Sequence, residues 1–248
     1  MQTPAPWTST LALMLRLALA AVVLAALTSD AVHAARDGLL AQDVSYFTNQ
    51  SNAMLVVLAV ATAWMAVLPR RIDDLRGAVA FYLVMTGLVY ALLVAPLSEL
   101  GRWDIGWQGI VLHRLAPLAA LADWLLTPRR GPARRTRILW WLVYPLAYLA
   151  LTWIRGAITG WYPYAFLDPT VAGWGPVLVT VLVALAAFVA VATLLHLAGG
   201  RLARGGPVPA RRSPARARPA RRASGHPAGV PAPGAEGTGS GEGRGDQP

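Results

Sequence analysis

Six Ser, Thr, Asn and Gln side chains crowd into residues 45–52, immediately before a long apolar stretch. Groups of this kind bind substrates and oxyanions, but they also occur at helix starts, where Ser, Thr and Asn cap the free N–H groups. Capping accounts for one or two of the six. The others favour a second interpretation, in which part of the run lines a cavity.

His113 is the second chemical candidate, because it is a titratable side chain inside an apolar stretch. Hydrocarbon does not solvate such a group, so it is either functional or held by a hydrogen bond to another helix. Pro117 follows four residues later on the same helical face and has no N–H to give to the His113 carbonyl. We therefore expect a kink that leaves this carbonyl free, and a second kink at Pro145.

These residues belong to helices that must cross a membrane. The chain of 248 residues is 56% hydrophobic and 14% charged, and one crossing takes roughly 20 apolar helical residues. Six apolar blocks come close to this length, at residues 9–28, 50–68, 78–96, 108–127, 138–155 and 174–198. The predicted fold is all-α, a polytopic bundle of six transmembrane spans over residues 1–198. No connection within it is long enough to hold a globular domain.

The arginines decide the predicted orientation. All 22 basic residues are arginine, and seventeen of them lie in residues 69–77, 128–137 and the segment after 198. The alternate connections hold only Arg36 and Arg102. The positive-inside rule therefore predicts a multi-pass protein of the cell membrane with both termini cytoplasmic. Residues 31–34 leave one alternative open, in which a signal peptidase removes the first span.

Residues 199–248 are rich in Pro, Ala, Gly, Arg and Ser and have almost no large apolar side chain. Such a segment cannot offset the entropy of ordering, so we predict a disordered cytoplasmic tail. Its arginines next to the last span can bind anionic lipid headgroups. The alternative is that they only anchor the topology. An arginine-only chain is typical of GC-rich coding sequence, so the arginines do not indicate nucleic-acid binding.

In this orientation Thr48 and His113 both lie in the outer leaflet, since both of their spans run inward from the outer face. At a rise of 1.5 Å per residue their depths differ by about 5 Å, so the two side chains can meet. Asp123 lies roughly 15 Å further along the span of His113 and cannot orient it directly; we expect it to pair with the arginines of the connection that follows it. Arg16 and Arg155 lie near span ends, where long side chains reach the headgroups.

Other chemistry has little support in the sequence. Cysteine is absent, the four histidines lack the spacing of metal ligands, and no glycine-rich phosphate loop occurs. We therefore predict neither a metal nor a cofactor. The predicted partners are membrane lipids, and the sequence identifies no protein partner.

Two motifs resemble those of a known family. Residues 47–52 (FTNQSN) open a second span, and residues 112–117 (LHRLAP) with 123–126 (DWLL) form a fourth. They resemble the bacterial Pr6Pr family of six-span membrane proteins, which is in turn similar to the androgen-induced, androgen-dependent family of animal membrane hydrolases. The resemblance covers roughly residues 10–198 and leaves out the tail.

The resemblance implies a threonine hydrolase of lipid esters, with Thr48 as the nucleophile and His113 as the general base. A threonine hydroxyl is a weak nucleophile unless a base takes its proton, which fits the expected proximity of the two residues. The third member that would orient the histidine is missing from the spans. Glu99 and Asp104 are the loop candidates for it.

The groups expected to bind the substrate or the oxyanion in such an enzyme are Asn49, Gln50, Asn52 and Arg155, together with free N–H groups in the first turn of the second span.

An alternative function is not catalytic. The two proline kinks and the polar outer mouth are equally typical of a protein that binds or transports a small amphiphile, or that organises lipids and partner proteins.

Overall fold

The computed structural model of this chain describes residues 10–63, 65, 69–95, 106–127 and 136–201. They fold into helices joined by short connections, and no strand occurs among them. The predicted all-α class is therefore confirmed for this part of the chain. Glu99, Asp104 and the predicted tail from residue 202 onward lie outside the described residues.

The helices follow the apolar blocks of the sequence. In chain order they are α1 (Thr10–Arg36), α2 (Leu40–Asp43), α3 (Phe47–Ala63), α4 (Arg70–Val89), α5 (Trp107–Ile110), α6 (Ala116–Leu126), α7 (Arg137–Thr159), α8 (Pro169–Ala172) and α9 (Trp174–Arg201). Two stretches have the wider π-helical turn. Tyr90–Val94 continues α4, and Val111–Leu115 joins α5 to α6.

Five of the described helical stretches are long and apolar enough to cross a membrane. This number of apolar helices indicates a multi-pass membrane protein. They are Thr10–Arg36, Arg70–Val94, Trp107–Leu126, Arg137–Thr159 and Trp174–Ala198. The second predicted span corresponds to α3, which has 17 residues and rises only about 26 Å against roughly 30 Å of hydrocarbon. Six crossings therefore remain a prediction.

The packed interior is centred on α4, which contacts α3, α6, α7 and α9. Gly77 of α4 makes this possible, because a Cβ at this position would collide with the rings of Trp124 and Trp141. Both indoles also bridge helices through their N–H groups. Trp141 donates to the carbonyl of Asp74 and Trp124 to that of Leu195, each at 3.2 Å.

Partly buried ion pairs join three helices at the end of the bundle opposite His113. The Asp123 carboxylate accepts from Arg16 Nε at 2.7 Å and from Arg76 Nη2 at 2.9 Å. Arg76 also pairs with Asp73 at 2.8 Å. The expectation that Arg16 reaches for the headgroups is wrong, because its side chain is 14% exposed and points at Asp123. Asp123 pairs with arginines of α1 and α4 and not, among the described residues, with an arginine of the connection that follows it, as the sequence suggested.

The outer surface of the long helices is apolar. Many large hydrophobic side chains of α1, α7 and α9 are exposed, among them Leu15, Leu151, Ile158 and Leu182. A soluble protein rarely leaves so many apolar side chains in contact with water. This distribution fits helices whose outer faces contact lipid.

Candidate active site

Hydrogen bonds with neighbouring side chains hold the first turn of α3 in place. The Phe47 N–H donates to the Tyr148 hydroxyl at 3.1 Å, and this hydroxyl donates to the Ser45 carbonyl at 3.0 Å. Asn49 Nδ2 donates to the backbone carbonyl and to Oδ1 of Asp43, both at 2.9 Å. Because both amide hydrogens of Asn49 then have acceptors, an oxyanion role for this amide requires one of these bonds to break.

Gln50 and Ser51 tie α3 to its neighbours. Gln50 Nε2 donates to the carbonyl of Val44 at 3.1 Å, and its Oε1 accepts from the Tyr144 hydroxyl at 2.6 Å. The Ser51 hydroxyl lies 3.0 Å from that of Thr86. Both polar atoms of the Gln50 amide therefore have partners within the protein. Much of the polar run serves to hold α3 against its neighbouring helices.

His113 lies in the π-helical segment Val111–Leu115, directly before α6. Pro117 follows this segment by two residues, and the extra residue in the wider turn accommodates a position with no N–H. The kink expected at Pro117 stays a prediction. The His113 carbonyl packs against Gly87 of α4, where an added Cβ would lie 3.2 Å from its oxygen. Pro145, the other predicted kink, lies within the continuous helix α7 and lines the cavity described below.

The structure brings Thr48 and His113 together. Thr48 Oγ1 lies 3.5 Å from His113 Nε2, and the Thr48 residue is 8% exposed. At this distance a hydroxyl and an imidazole nitrogen are at the long limit of a hydrogen bond. Catalytic hydrogen bonds are often long before a substrate binds, so the pair qualifies as a candidate nucleophile and base.

The other ring nitrogen of His113 has a partner that the sequence did not reveal. His113 Nδ1 lies 3.3 Å from the backbone carbonyl of Gly109, one turn earlier on the same helix. A carbonyl can only accept, so this contact favours the tautomer with the proton on Nδ1. The Nε2 lone pair then faces the Thr48 hydroxyl, which is the arrangement that a general base needs.

The imidazole plane is held by a second aromatic ring. The rings of His113 and Tyr90 are stacked, with centroids 3.9 Å apart and planes 29° from parallel. Tyr90 begins the π-helical segment that continues α4. Both π segments therefore place an aromatic side chain at this site, and π turns are frequent at functional sites.

Asn52 lies one turn below Thr48 and is fully buried. Its Nδ2 donates to the Thr48 carbonyl at 2.9 Å and to the Leu112 carbonyl at 3.2 Å. Both of its amide hydrogens are used inside the protein. An oxyanion role for Asn52 would therefore also require breaking a bond.

Thr48 and His113 face a cavity of about 450 Å³. Its wall is mainly apolar and comes from α4, α7, α9 and the connection between α7 and α9, with residues such as Met85, Val89, Leu149 and Phe188. The volume falls within the usual range for a small-molecule site, roughly 300–1,000 Å³. Within the described residues, no cluster of three His, Asp or Glu side chains could hold a metal ion.

Tyrosines close the cavity on the side of Thr48. Tyr164, from the connection after α7, lines the wall and packs edge-on against Tyr46, with ring centroids 5.6 Å apart. Burial raises the pKa of the Tyr164 phenol, and polar groups of Thr48, Phe47 and Tyr148 oppose this shift. The phenol therefore stays protonated at neutral pH and has a hydrogen to donate in the cavity that Thr48 also lines.

Two carboxylates line the same cavity, and Arg155 lies outside its wall. Asp30 and Asp43 line the cavity, and burial raises the pKa of Asp43 while the hydrogen bond from Asn49 opposes this. Arg155, predicted to bind substrate, is not part of the wall. Its guanidinium lies over the ring of Trp161, 4.6 Å from the centroid, and that stack can account for its position without a ligand.

No family model, curated protein or solved structure matches this chain. The resemblance to the Pr6Pr family therefore stays a prediction, and the site has to be judged on its own geometry. That geometry joins the two residues that the resemblance singled out. It leaves Asn49, Gln50 and Asn52 in contacts within the protein.

The residues that sequence reasoning missed are Gly109, Tyr90, Tyr148 and Tyr164. Gly109 acts through its backbone, which no side-chain pattern reveals. The tyrosines lie in segments whose aromatic content is typical of any membrane protein interface. The one available signal was the aromatic run at residues 161–166 in a connection predicted to face outward.

Proposed function

We propose that this chain is an intramembrane hydrolase of lipid esters, with Thr48 as the nucleophile and His113 as the general base. The observation that carries the proposal is the 3.5 Å approach of Thr48 Oγ1 to His113 Nε2 at the wall of an apolar cavity of about 450 Å³. A hydroxyl and a titratable imidazole that meet at an apolar wall are candidates for chemistry, because hydrocarbon solvates neither group.

The reaction proceeds in two steps. The Thr48 oxygen attacks the ester carbonyl while His113 Nε2 takes the hydroxyl proton, and the Gly109 carbonyl holds Nδ1–H as the imidazolium forms. The tetrahedral intermediate collapses, and the alcohol leaves with the proton from Nε2. Water then attacks the acyl-threonine, giving one proton to Nε2, and the fatty acid departs as Thr48 regains its hydrogen.

The Tyr164 phenol is the donor best suited to the oxyanion of the intermediate. It lines the same cavity as Thr48, and its burial keeps it protonated. A preorganised donor aimed at developing charge typically accounts for a large part of the rate enhancement in acyl transfer. The apolar remainder of the wall accommodates an acyl chain.

The proposed setting follows from the arginine distribution. The cavity opens toward the outer leaflet of the cell membrane, and both termini are cytoplasmic. The arginines after the last span bind anionic headgroups of the inner leaflet.

The test is hydrolysis of fluorogenic lipid esters by purified protein in nanodiscs. Thr48→Ala and His113→Ala should each lower kcat by about a hundredfold or more while the protein still inserts. Thr62→Val is the matched control for Thr48, because Thr62 is a buried threonine of the same helix that bonds only to its own backbone. His33→Ala is the corresponding control for His113→Ala. Wild-type kcat in both Thr48→Ala and His113→Ala would overturn the proposal.

The apolar cavity also suits a second function, the binding or transport of an amphiphile without turnover. In that case the wild type would bind a fluorescent lipid saturably and hydrolyse none of it. Substitution of Thr48 or His113 would then leave binding largely unchanged, since the apolar wall supplies most of the contact.

A further inference from the structure

The π-helical segment that bears His113 changes the hydrogen bonding of two carbonyls. In a regular α-helix the Leu112 carbonyl would accept the N–H of Ala116, and the His113 carbonyl would accept that of residue 117. Residue 117 is proline and has no N–H. The N–H of Ala116 donates instead to Val111, five residues back. The Leu112 carbonyl therefore lacks its usual donor.

Asn52 of α3 supplies the missing donor. Its Nδ2 lies 3.2 Å from the Leu112 carbonyl and 2.9 Å from the Thr48 carbonyl. One amide group thus joins the backbone of Thr48 to the residue directly before His113.

We propose that Asn52 is a positioning residue that sets the distance between the Thr48 hydroxyl and the His113 imidazole. Its catalytic consequence rests on the proposed hydrolase function. The geometric part does not, because it concerns only how α3 is held against the π-helical segment.

The other end of the Asn52 side chain supports this role. Its Oδ1 is buried and has no hydrogen-bond partner within the described part of the structure. A buried acceptor without a hydrogen bond is unfavourable, and a leucine of similar shape would pack here without burying such an acceptor. What an asparagine adds at this position is therefore its two N–H donors, which bridge the helices.

Small shifts matter at this site. Thr48 Oγ1 and His113 Nε2 are already 3.5 Å apart, and proton transfer requires them to approach to about 3 Å in the complex with substrate. A displacement of about 1 Å at a reacting group can lower a rate by a factor of about a hundred. Loss of the bridge should therefore affect kcat and leave the apolar wall, and so KM, nearly unchanged.

The first measurement is the kinetics of Asn52→Leu against the Thr62→Val control. Asn52→Leu should lower kcat at least tenfold and change KM less than twofold, in protein that is folded by size-exclusion chromatography. Thr62→Val should keep the wild-type kcat. Equal kcat in the wild type and in folded Asn52→Leu would overturn the inference.

The second measurement reads the distance without catalysis. A zinc ion bound to one thiolate and one imidazole holds the sulfur and nitrogen about 3.5 Å apart, given its usual bond lengths and tetrahedral angle. Thr48→Cys should therefore bind Zn²⁺ together with His113, and the chain has no other cysteine. Adding Asn52→Leu should weaken this binding at least tenfold, whereas adding Thr62→Val should not. His113→Ala identifies the histidine as the ligand.

The two measurements separate the possible failures. If the wild type hydrolyses no ester but Asn52→Leu weakens zinc binding, the hydrolase proposal fails and the positioning role stands. If Zn²⁺ binds Thr48→Cys equally well with and without Asn52, or does not bind it at all, the positioning role is refuted, whatever the wild-type activity.

Discussion

Replacing Asp123 with Asn tests how the bundle is held together without touching the candidate active site. The substitution keeps the shape of the side chain and removes its charge. Asp123 pairs with Arg16 of α1 at 2.6 Å and with Arg76 of α4 at 2.9 Å. Both guanidinium groups would lose this carboxylate, and Arg76 would retain Asp73.

The magnitude follows from the burial of the three charges. Arg76 is 5% exposed and Arg16 14%, so neither is solvated well by water, while Asp123 is 32% exposed. Breaking a buried ion pair destabilises a protein by about 3–5 kcal/mol. The partial exposure of Asp123 places the expected loss at the lower end, about 3 kcal/mol.

The assay is equilibrium unfolding by SDS titration in mixed micelles, followed by tryptophan fluorescence. Asp37→Asn is the matched control, since it removes the same charge from an exposed position directly after α1; its loss should be below about 0.5 kcal/mol. The double variant Asp123→Leu with Arg16→Leu should recover part of the loss. A change within 0.5 kcal/mol of zero for Asp123→Asn, on the order of ordinary surface substitutions, would refute this reasoning.

Two further predictions concern the site and the topology. Tyr164→Phe should lower kcat about a hundredfold through loss of an oxyanion donor, whereas Tyr162→Phe in the same connection should not; wild-type kcat in Tyr164→Phe would remove this residue from the mechanism. In the cysteine-free chain, single cysteines at the exposed positions 37 and 159 should react with an impermeant maleimide on intact cells, and one at position 136 only after permeabilisation. The opposite labelling pattern would invert the predicted orientation.

The apolar blocks predicted most of the helices because hydrocarbon length and backbone satisfaction constrain them strongly. The errors lie at polar ends. α1 continues to Arg36, eight residues past the predicted boundary, and α4 begins at Arg70 instead of residue 78. The first turns of α4 are charged, and their charges pair with Asp123 and each other. Hydropathy alone cannot foresee such pairing.

The candidate site was predictable only where a residue type was costly in its place. A histidine in an apolar span pointed to His113, and the resemblance singled out Thr48 within the polar run at the start of another helix. Helix rise placed the two at depths that differ by about 5 Å. The contacts that orient them depend on tertiary structure. The Gly109 carbonyl and the Tyr90 ring reach His113 through backbone geometry and helix packing, which side-chain patterns do not reveal. The bridge from Asn52 depends on the π-helical turn before Pro117, which the sequence indicated only as a kink.

Covalent labelling of Thr48 is the most direct test of the hydrolase. Purified wild-type protein in nanodiscs would be incubated with a fluorophosphonate probe and digested, and the modified peptide mapped by mass spectrometry. The account predicts a single adduct on Thr48, absent in Thr48→Ala and reduced at least tenfold in His113→Ala, because the hydroxyl reacts only when His113 takes its proton. No adduct in the wild type, or an adduct on Thr48 that forms at the same rate without His113, would contradict the central claim.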